Sequence, residues 1–158
     1  MTREEFTSHL RDVQEPLRRF LLSLCEGDSF TADDIAQDAC VKAYLAIDKF
    51  RGESRFSTWI FRIAYNSWCN RKYEKRADSL ENLNFASIPD ESGADDRFRY
   101  QALYQAISSL KPSERAAILL FYMEDKSIKE ISSIMNIPTG TVKSLLSRGR
   151  ANLKIKIG

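Results

Sequence analysis

The sequence contains few of the residues that break helices or build cross-linked folds. Six glycines and four prolines in 158 residues are too few for the many turns of an all-β fold. The single histidine, His9, cannot complete a histidine-based zinc site, and the three cysteines include no C-x-x-C pair. We therefore expect free thiols, no disulfide framework, and neither a metal nor another cofactor.

Long apolar runs are also absent. No stretch approaches the roughly 20 apolar residues of a membrane-spanning helix. The charged N-terminal segment lacks the apolar core of a signal peptide. A length of 158 residues excludes the large catalytic barrels and complete dinucleotide-binding enzymes. These absences predict a soluble, cytoplasmic protein of one domain or two small ones.

The net charge of +2 conceals an uneven distribution along the chain. The balance is +1 over residues 1–77, −4 over 78–100 and +5 over 101–158. Helical periodicity fails over residues 78–97, where Pro, Gly and Ser lie among the acids. We predict a flexible acidic linker over 78–97 that joins two helical domains, 1–77 and 98–158. The alternative is a long surface loop inside one domain.

Apolar residues recur at helical spacing on both sides of this segment. Every fourth residue from Ile35 to Ile47 is apolar, which is typical of a helix with one buried face. Thr31 and Ser113 are predicted N-caps, and Ser127 with Glu130 forms a capping-box sequence. The sequence therefore predicts an all-α fold of two small helical domains.

The most specific local pattern lies in the last 32 residues, 127–158. A helix predicted over Ser127–Met135 is followed by Asn136-Ile137-Pro138, and a second helix begins near Thr139. Two short helices joined by three or four turn residues are typical of a helix-turn-helix, whose second helix enters the major groove. That second helix carries five basic residues and no acid through Lys156. A basic face alone is more often simply solvated, but the turn, the polar face and the single sign of charge together predict DNA binding.

The sequence of residues 56–73 predicts a helix with more aromatic side chains than one buried helix face can accommodate. Phe61, Tyr65 and Trp68 share a face distinct from that of Phe56 and Ile60, and basic and amide residues lie between them. Such a mixture suits a surface that stacks unpaired bases and contacts phosphates. A core helix whose extra aromatics pack against residues 6–24 fits the sequence equally well.

An acidic stretch precedes this helix. Residues 26–38 contain five acids and neither Lys nor Arg. Asp34, Gln37, Asp38 and Lys42 fall on one predicted helix face, away from the apolar positions. An acidic patch would repel DNA and suits a basic protein partner, although charged helix faces are usually only solvated.

Two parts of the chain resemble the sigma-70 family of bacterial initiation factors. Asp33–Ala39 followed by Ile47–Ala64 resembles conserved region 2, and Glu130–Ser144 resembles region 4. With these two regions alone, the layout is similar to the extracytoplasmic-function (group IV) sigma factors. The resemblance implies a non-enzymatic factor that binds core RNA polymerase, recognises the −35 and −10 promoter elements, melts the −10 region and initiates transcription. It also implies an anti-sigma factor as a partner.

The resemblance assigns roles to individual residues. Binding of core polymerase falls to Asp34, Gln37, Asp38 and Lys42. Recognition and opening of the −10 element fall to Phe50, Arg51, Arg55, Phe56, Trp59, Arg62, Asn66 and Asn70. Contacts with the −35 element fall to Thr141, Lys143, Ser144, Ser147, Arg148 and Arg150. The sequence departs from the family at Leu145, where a basic residue is usual, and at Gly149, which replaces alanine and costs the helix about 1 kcal/mol.

Two other functions are compatible with parts of the sequence. A helix-turn-helix regulator with an N-terminal sensing domain would bind promoter duplex without polymerase. An enzyme acting on nucleic acid would need a carboxylate cluster among the basic residues, a Cys/His set or a phosphate-binding glycine loop, and the sequence contains no such pattern.

Overall fold

The computed structural model describes the backbone of residues 1–75 and 94–157, and the side chains of 1–72 and 100–157. Within these ranges the regular structure is helical and no strand occurs, which confirms the all-α prediction. The helices are α1 (Arg3–Leu24), α2 (Ser29–Leu45), α3 (Phe56–Lys75), α4 (Ala94–Ser108), α5 (Pro112–Ile118), α6 (Ile128–Met135) and α7 (Thr139–Ile157). A 3₁₀ turn spans Ile47–Lys49, and a π-helical turn, the π turn, spans Leu119–Met123.

Local hydrogen bonds explain where α2 and α6 begin. The predicted capping box of α6 is confirmed, because the Ser127 hydroxyl accepts from the Glu130 N–H and the Glu130 carboxylate accepts from the Ser127 N–H. The prediction that Thr31 caps α2 is wrong. The N-cap is Asp28, whose carboxylate accepts from the Thr31 N–H at 3.2 Å and from its hydroxyl at 2.6 Å.

The start of α5 also differs from the prediction. Ser113 was expected to cap this helix, but the helix begins one residue earlier, at Pro112. Lys111 occupies the N-cap position without a side-chain hydrogen bond. Proline suits the first helical position, because its fixed φ is already helical and it has no N–H to leave unpaired.

Helices α1, α2 and α3 pack against one another and form the first half of the molecule. Ile35, Ala39 and Ala43 are buried, as their spacing predicts. Ile47 breaks the predicted series: α2 ends at Leu45, and Ile47 lies half-buried in the 3₁₀ turn.

Helices α4 to α7 form the second half, in which α7 packs against α4, α5 and α6. Asn136 ends α6 in the left-handed conformation (φ 55°) that commonly terminates helices, and α7 begins three residues later. This geometry confirms the predicted helix-turn-helix.

The two halves pack together, with α3 against α6 and α1 against α5 and the π turn. Phe61, Tyr65 and Trp68 are buried. Of the two possibilities that the sequence left open for this aromatic face, the structure shows packing. Helix α4 begins at Ala94, so the last four positions of the predicted linker are helical; positions 78–93 lie outside the described residues. Among the described helices, none combines the length and apolar character needed to cross a membrane.

Candidate DNA-binding and partner-binding surfaces

Helix α7 exposes all six residues that the family resemblance assigns to the −35 element, while Val142, Leu145 and Leu146 on its other side are buried. The Ser144 hydroxyl donates to the Gly140 carbonyl at 3.2 Å. The Arg148 Nε donates to the Ser144 carbonyl at 3.4 Å, so this guanidinium lies along the helix surface. The arrangement presents hydroxyl and cationic groups on one open face, where major-groove base edges could reach them.

Two positions on α7 do not fit a simple row of outward-facing DNA contacts. Arg150 donates to the Tyr122 hydroxyl at 3.2 Å, which directs its guanidinium toward the π turn. Leu145, the departure from the family pattern, is buried, so this position contributes packing in place of a basic contact.

Helix α3 carries an exposed polar row on one side. Four exposed residues, which we call the α3 row, lie along this side at helical spacing: Arg55, directly before the helix, and Arg62, Asn66 and Asn70 within it. Trp59 lies in the same line and is half-buried. The row therefore offers cationic and amide groups beside one partly accessible indole.

An aromatic cluster surrounds the start of α3. Ring centroids lie 4.9 Å apart for Phe50 and Trp59, and 5.7 Å apart for Phe56 and Trp59. Phe56 is buried, stacking on His9 at 5.2 Å and meeting Phe6 edge-on at 5.6 Å. Phe56 therefore supports Phe50 and Trp59 from beneath, and its predicted direct contact with DNA stays a prediction. Arg51 is exposed in the turn before this helix.

The residues predicted to bind core polymerase lie together on α2. Asp34, Gln37, Asp38 and Lys42, the α2 face, border a groove with Ser67, Asn70 and Arg71 of α3. Both acids are ion-paired within the chain: Asp34 with Arg71, and Asp38 with Lys42 at 2.9 Å. Lys42 also donates to the Ser67 hydroxyl at 3.2 Å. Each acid remains about half exposed, so the face is acidic but partly neutralised.

Three apolar residues on the same side of α2 were missed from the sequence. Phe30, Val41 and Leu45 are 83%, 57% and 76% exposed, values unusual for such large apolar side chains. Their spacing from Asp34 and Asp38 places all five within about 100° of arc on a helix of 3.6 residues per turn. Helical periodicity could have revealed this set, whereas the contact between Asp34 and Arg71 could not be read from residues 37 positions apart.

No cluster of three or more His, Cys, Asp or Glu side chains suited to a metal ion occurs in the described part of the chain. The thiols of Cys40 and Cys69 are half-buried, and burial raises the pKa of each. These cysteines are therefore protonated near neutral pH, a state in which a thiol is a poor nucleophile.

Comparisons with known proteins agree with the geometry in both halves. Residues 6–77 match the family model "Sigma-70 region 2", and residues 100–153 match "Sigma-70, region 4". These regions coincide with the halves that carry the α2 face and the α3 row, and the helix-turn-helix. The match over 6–77 also removes the reason to regard this half as a sensing domain of an ordinary regulator.

Individual relatives match over most of their own length. The ECF RNA polymerase sigma factor SigW of Bacillus subtilis is 34% identical over 161 aligned residues, covering 90% of this chain and 86% of that protein. The ECF RNA polymerase sigma-E factor of Escherichia coli is 35% identical over 139 residues, covering 78% and 72%.

Solved structures give the same result. The sigma factor RpoE of Bartonella quintana, in complex with the anti-sigma factor NepR, superposes with a TM-score of 0.85 at 28% identity over 98% of this chain and 97% of that one. CnrH, in complex with the cytosolic domain of CnrY, shares the fold with a TM-score of 0.74 at 19% identity, over 99% of this chain and 89% of that one.

The fold and the surfaces define a promoter-recognition factor built from sigma regions 2 and 4. More closely, the chain belongs to the ECF RNA polymerase sigma factors. It binds core polymerase, recognises the −35 and −10 promoter elements, melts the −10 region and initiates transcription.

Proposed function

We propose that three separate surfaces divide the work of this sigma factor. The exposed face of α7 recognises the −35 duplex. The α3 row, together with the aromatic cluster at the start of α3, holds the opened −10 strand. The α2 face binds core polymerase. The observation that carries this division is exposure: each set lies on an open helix face while the opposite face is buried.

Helix α7 has the composition expected of a helix that binds double-stranded DNA. It contains no acid from Thr139 to Ile157, so no side chain on it repels phosphate. Lys143, Ser144, Ser147 and Arg148 face outward together and serve as base-edge or groove contacts, with Thr141 beside them and Arg150 on phosphate. A good bidentate arginine–guanine pair gives about 1–3 kcal/mol of discrimination against the wrong base.

The α3 row suits a single strand better than a duplex. Taking a base out of the stack costs a few kcal/mol, and stacking on an aromatic ring returns about 1–3 kcal/mol per base. One ring therefore does not suffice, and additional groups must hold the opened strand. Trp59 and Phe50 supply stacking surface, while Arg51, Arg55 and Arg62 neutralise phosphates and Asn66 and Asn70 donate or accept hydrogen bonds. Phe56 contributes from beneath by fixing the two rings.

The α2 face combines weak ion pairs with exposed apolar surface. Surface ion pairs contribute at most about 1 kcal/mol, so a basic partner can displace Lys42 and Arg71 from the acids at small cost. Acids steer and orient a partner, but tight binding usually depends on buried apolar anchors. We include Phe30, Val41 and Leu45 in the proposed polymerase-binding surface for this reason.

The remaining assignments follow from the same role. The proposed domains are residues 1–77 and 98–158, joined by 78–97, of which the last four positions belong to α4. The protein acts without catalytic residues, because the chemistry of transcription belongs to polymerase. It works in the cytoplasm, where bacterial polymerase and promoters are found. Since the Bartonella relative was solved with an anti-sigma factor, we propose that an anti-sigma factor also binds this chain.

The −10 assignment is tested by Asn66→Ala, because this exposed amide contributes little to folding. We expect the variant holoenzyme to bind promoter normally but to open it slowly, as measured by permanganate reactivity of unpaired thymines. Gln14→Ala, at an exposed amide on α1, is the matched control and should open at the wild-type rate.

A template mismatched across the −10 to start-site region separates opening from capture. It should largely restore transcription by a variant whose defect lies in opening the duplex. Wild-type permanganate patterns from Arg62→Ala and Asn66→Ala holoenzymes alike would remove the α3 row from the melting step. That result would leave membership of the sigma family untouched.

A further inference from the structure

A tyrosine of the π turn lies on the surface beside α7. Tyr122 is 51% exposed, whereas Leu119 and Leu120 of the same turn are buried. The Tyr122 ring meets the Phe121 ring edge-on, with the two centroids 5.0 Å apart. Single π-helical turns inside helices are rare and occur frequently at functional sites. This turn holds a large side chain in an exposed position, where the neighbouring ring supports it.

The Tyr122 hydroxyl is joined to Arg150 of α7. The Arg150 guanidinium donates to the phenolic oxygen at 3.2 Å. Because the oxygen accepts this bond, the O–H group of Tyr122 can still donate to another group. Arg150 is exposed, and its guanidinium carries several further N–H donors. The pair therefore presents adjacent O–H and N–H donors to solvent, a combination that suits an anionic oxygen acceptor.

Arg150 belongs to a row of cations along one flank of α7. Lys143, Arg150 and Lys154, which we call the α7 flank, are exposed and fall within about 40° of arc on a helix of 3.6 residues per turn. On the helix circumference the flank lies between the buried Leu146 and the exposed Ser147. It therefore borders the face to which we assign contacts with base edges.

The acids that follow Tyr122 in the chain leave this site cationic. The Glu124 side chain is only 2% exposed and is ion-paired with Arg19. Asp125 is exposed, but the three cations of the α7 flank outnumber it. The surroundings of Tyr122 therefore favour an anion.

The position of the α7 flank indicates which anion would bind. A recognition helix in the major groove directs its outer face toward base edges, so side chains on its flanks lie next to the sugar-phosphate backbone at the edge of the groove. Tyrosine hydroxyls are among the groups that bind DNA phosphates, together with arginine and lysine. A backbone phosphate therefore fits both the donors and their place on the helix.

We propose that Tyr122 and Arg150 form a phosphate clamp. In this clamp the Tyr122 O–H and the Arg150 guanidinium bind one backbone phosphate at the edge of the −35 major groove. The π turn is then a second DNA-binding element beside α7, and it adds affinity without recognising particular bases. This inference rests on the proposed role of α7 at the −35 element.

Tyr122→Phe tests the clamp because it removes only the hydroxyl. Fluorescence anisotropy should show that the variant holoenzyme binds duplex promoter about tenfold more weakly than the wild type, as expected for the loss of one hydrogen bond. The loss should be the same when bases of the −35 element are changed, since a phosphate carries no sequence information. Tyr100→Phe removes the hydroxyl of another tyrosine of the second half, 48% exposed, and should bind like the wild type. Circular dichroism and urea unfolding establish that both variants fold normally.

Neutral methylphosphonate linkages locate the phosphate. They are placed one at a time along the −35 element, and binding by the wild-type and Tyr122→Phe holoenzymes is compared at each position. At the clamped phosphate the linkage should weaken Tyr122→Phe clearly less than the wild type, because the variant has already lost one of the bonds to that phosphate. Equal losses for the two proteins at every position would overturn the clamp, since Tyr122 would then contact no particular phosphate.

Arg148→Ala separates failure of the clamp from failure of the α7 assignment. If Arg148→Ala reduces discrimination between −35 sequences while Tyr122→Phe binds like the wild type, the clamp alone is overturned. If both variants bind every −35 sequence like the wild type, the proposed role of α7 is overturned together with the clamp.

Discussion

Gly149 lies where α7 packs tightly against Ile118 of α5. A Cβ at this position would lie 2.7 Å from Ile118 Cγ1 and 3.0 Å from its Cδ1. Ile118 is fully buried, so it has little space into which to move. The sequence shows only the helix-weakening effect of glycine, whereas the structure shows the packing that offsets it.

Gly149→Ala should therefore destabilise the protein although it improves helix propensity. We expect a loss of about 1–3 kcal/mol from overpacking, against a gain of about 1 kcal/mol from helix propensity. Urea unfolding followed by circular dichroism measures the balance. Gly140→Ala is the control, since it lies in the first turn of α7 with nothing within 4 Å of an added Cβ, and it should be neutral or stabilising. A stabilised Gly149→Ala would contradict the close packing of α5 and α7.

Sequence separation decides which residue-level contacts could be predicted. Ser127 and Glu130 are three positions apart and belong to one recurrent motif, so their mutual capping was predictable. The contacts of Arg115 with Leu24 and Glu26 join residues 91 and 89 positions apart. Nothing in the composition around Arg115 distinguishes it from an arginine on a solvated helix, because its role exists only after the two halves have packed.

Helix α3 has three sides with different surroundings. Helical periodicity could predict which residues share a side, but not what covers that side. One side is buried with Ile60 and Ala64, a second carries Phe61 and Tyr65, and the third is the α3 row. The spacing correctly grouped Phe61 with Tyr65 and Trp68. It could not tell whether protein or DNA covers that group, since an aromatic side chain suits either environment.

Glu130 couples the start of α6 to α3 and makes this element sensitive to acid. Burial raises the pKa of Glu130. Hydrogen bonds with the backbone and the side chain of Ser127 and with the Thr58 hydroxyl outweigh this effect, so the pKa lies below its usual value of 4.5. A carboxyl with a depressed folded-state pKa adds stability that is present above its unfolded pKa and is lost as the pH falls through the folded value. The stabilising effect of Glu130 should therefore be complete above about pH 4.5 and decline progressively as the pH falls below it.

Glu130→Gln should remove this contribution to the pH dependence. Glutamine can still complete a capping box, so the helix start is retained. Thermal unfolding from pH 7 to pH 3.5 should show a smaller loss of Tm for the variant than for the wild type. Glu5→Gln is the control, because Glu5 is exposed and its carboxylate accepts from the Thr2 N–H in the capping box of α1. Parallel curves for wild type and Glu130→Gln would show that Glu130 does not carry this linkage.

At the scale of the molecule, the sequence predicted two helical modules but not their contact. Each module has its own periodic apolar faces, which is why the all-α class and the helix-turn-helix were predictable. The interface between the halves includes an ion pair of Arg19 with Glu124 and hydrogen bonds from Arg115 to Leu24 and Glu26. Charge composition alone would place these arginines and glutamates on solvated surfaces. Packing between the modules is visible only in the structure, because buried apolar residues of both halves join in one cluster and the contacts link residues far apart in the sequence.

The length of the connecting segment sets how far apart the two halves can lie. Eighteen residues, 76–93, lie between the end of α3 and the start of α4. Fully extended, they span at most about 60 Å, and each half has a radius of about 14 Å, so the centres of the halves can separate by about 90 Å. The −35 and −10 elements lie about 25 base pairs apart, which is about 85 Å along B-form DNA. The maximum separation of the halves just exceeds this distance.

Deleting residues 79–90 should therefore uncouple the two promoter contacts. The six connecting residues that remain span about 20 Å, which limits the centres of the halves to about 50 Å. We expect transcription from a promoter that needs both elements to fall sharply, and mutation of the −35 element to have little further effect, because the shortened chain can no longer hold both. Replacing 79–90 by twelve Gly and Ser residues keeps the reach and should keep activity, which separates length from acidic composition. In vitro transcription on matched promoters measures both variants. Full, −35-dependent activity of the deletion variant would show that the two elements are read without the separation that this geometry requires.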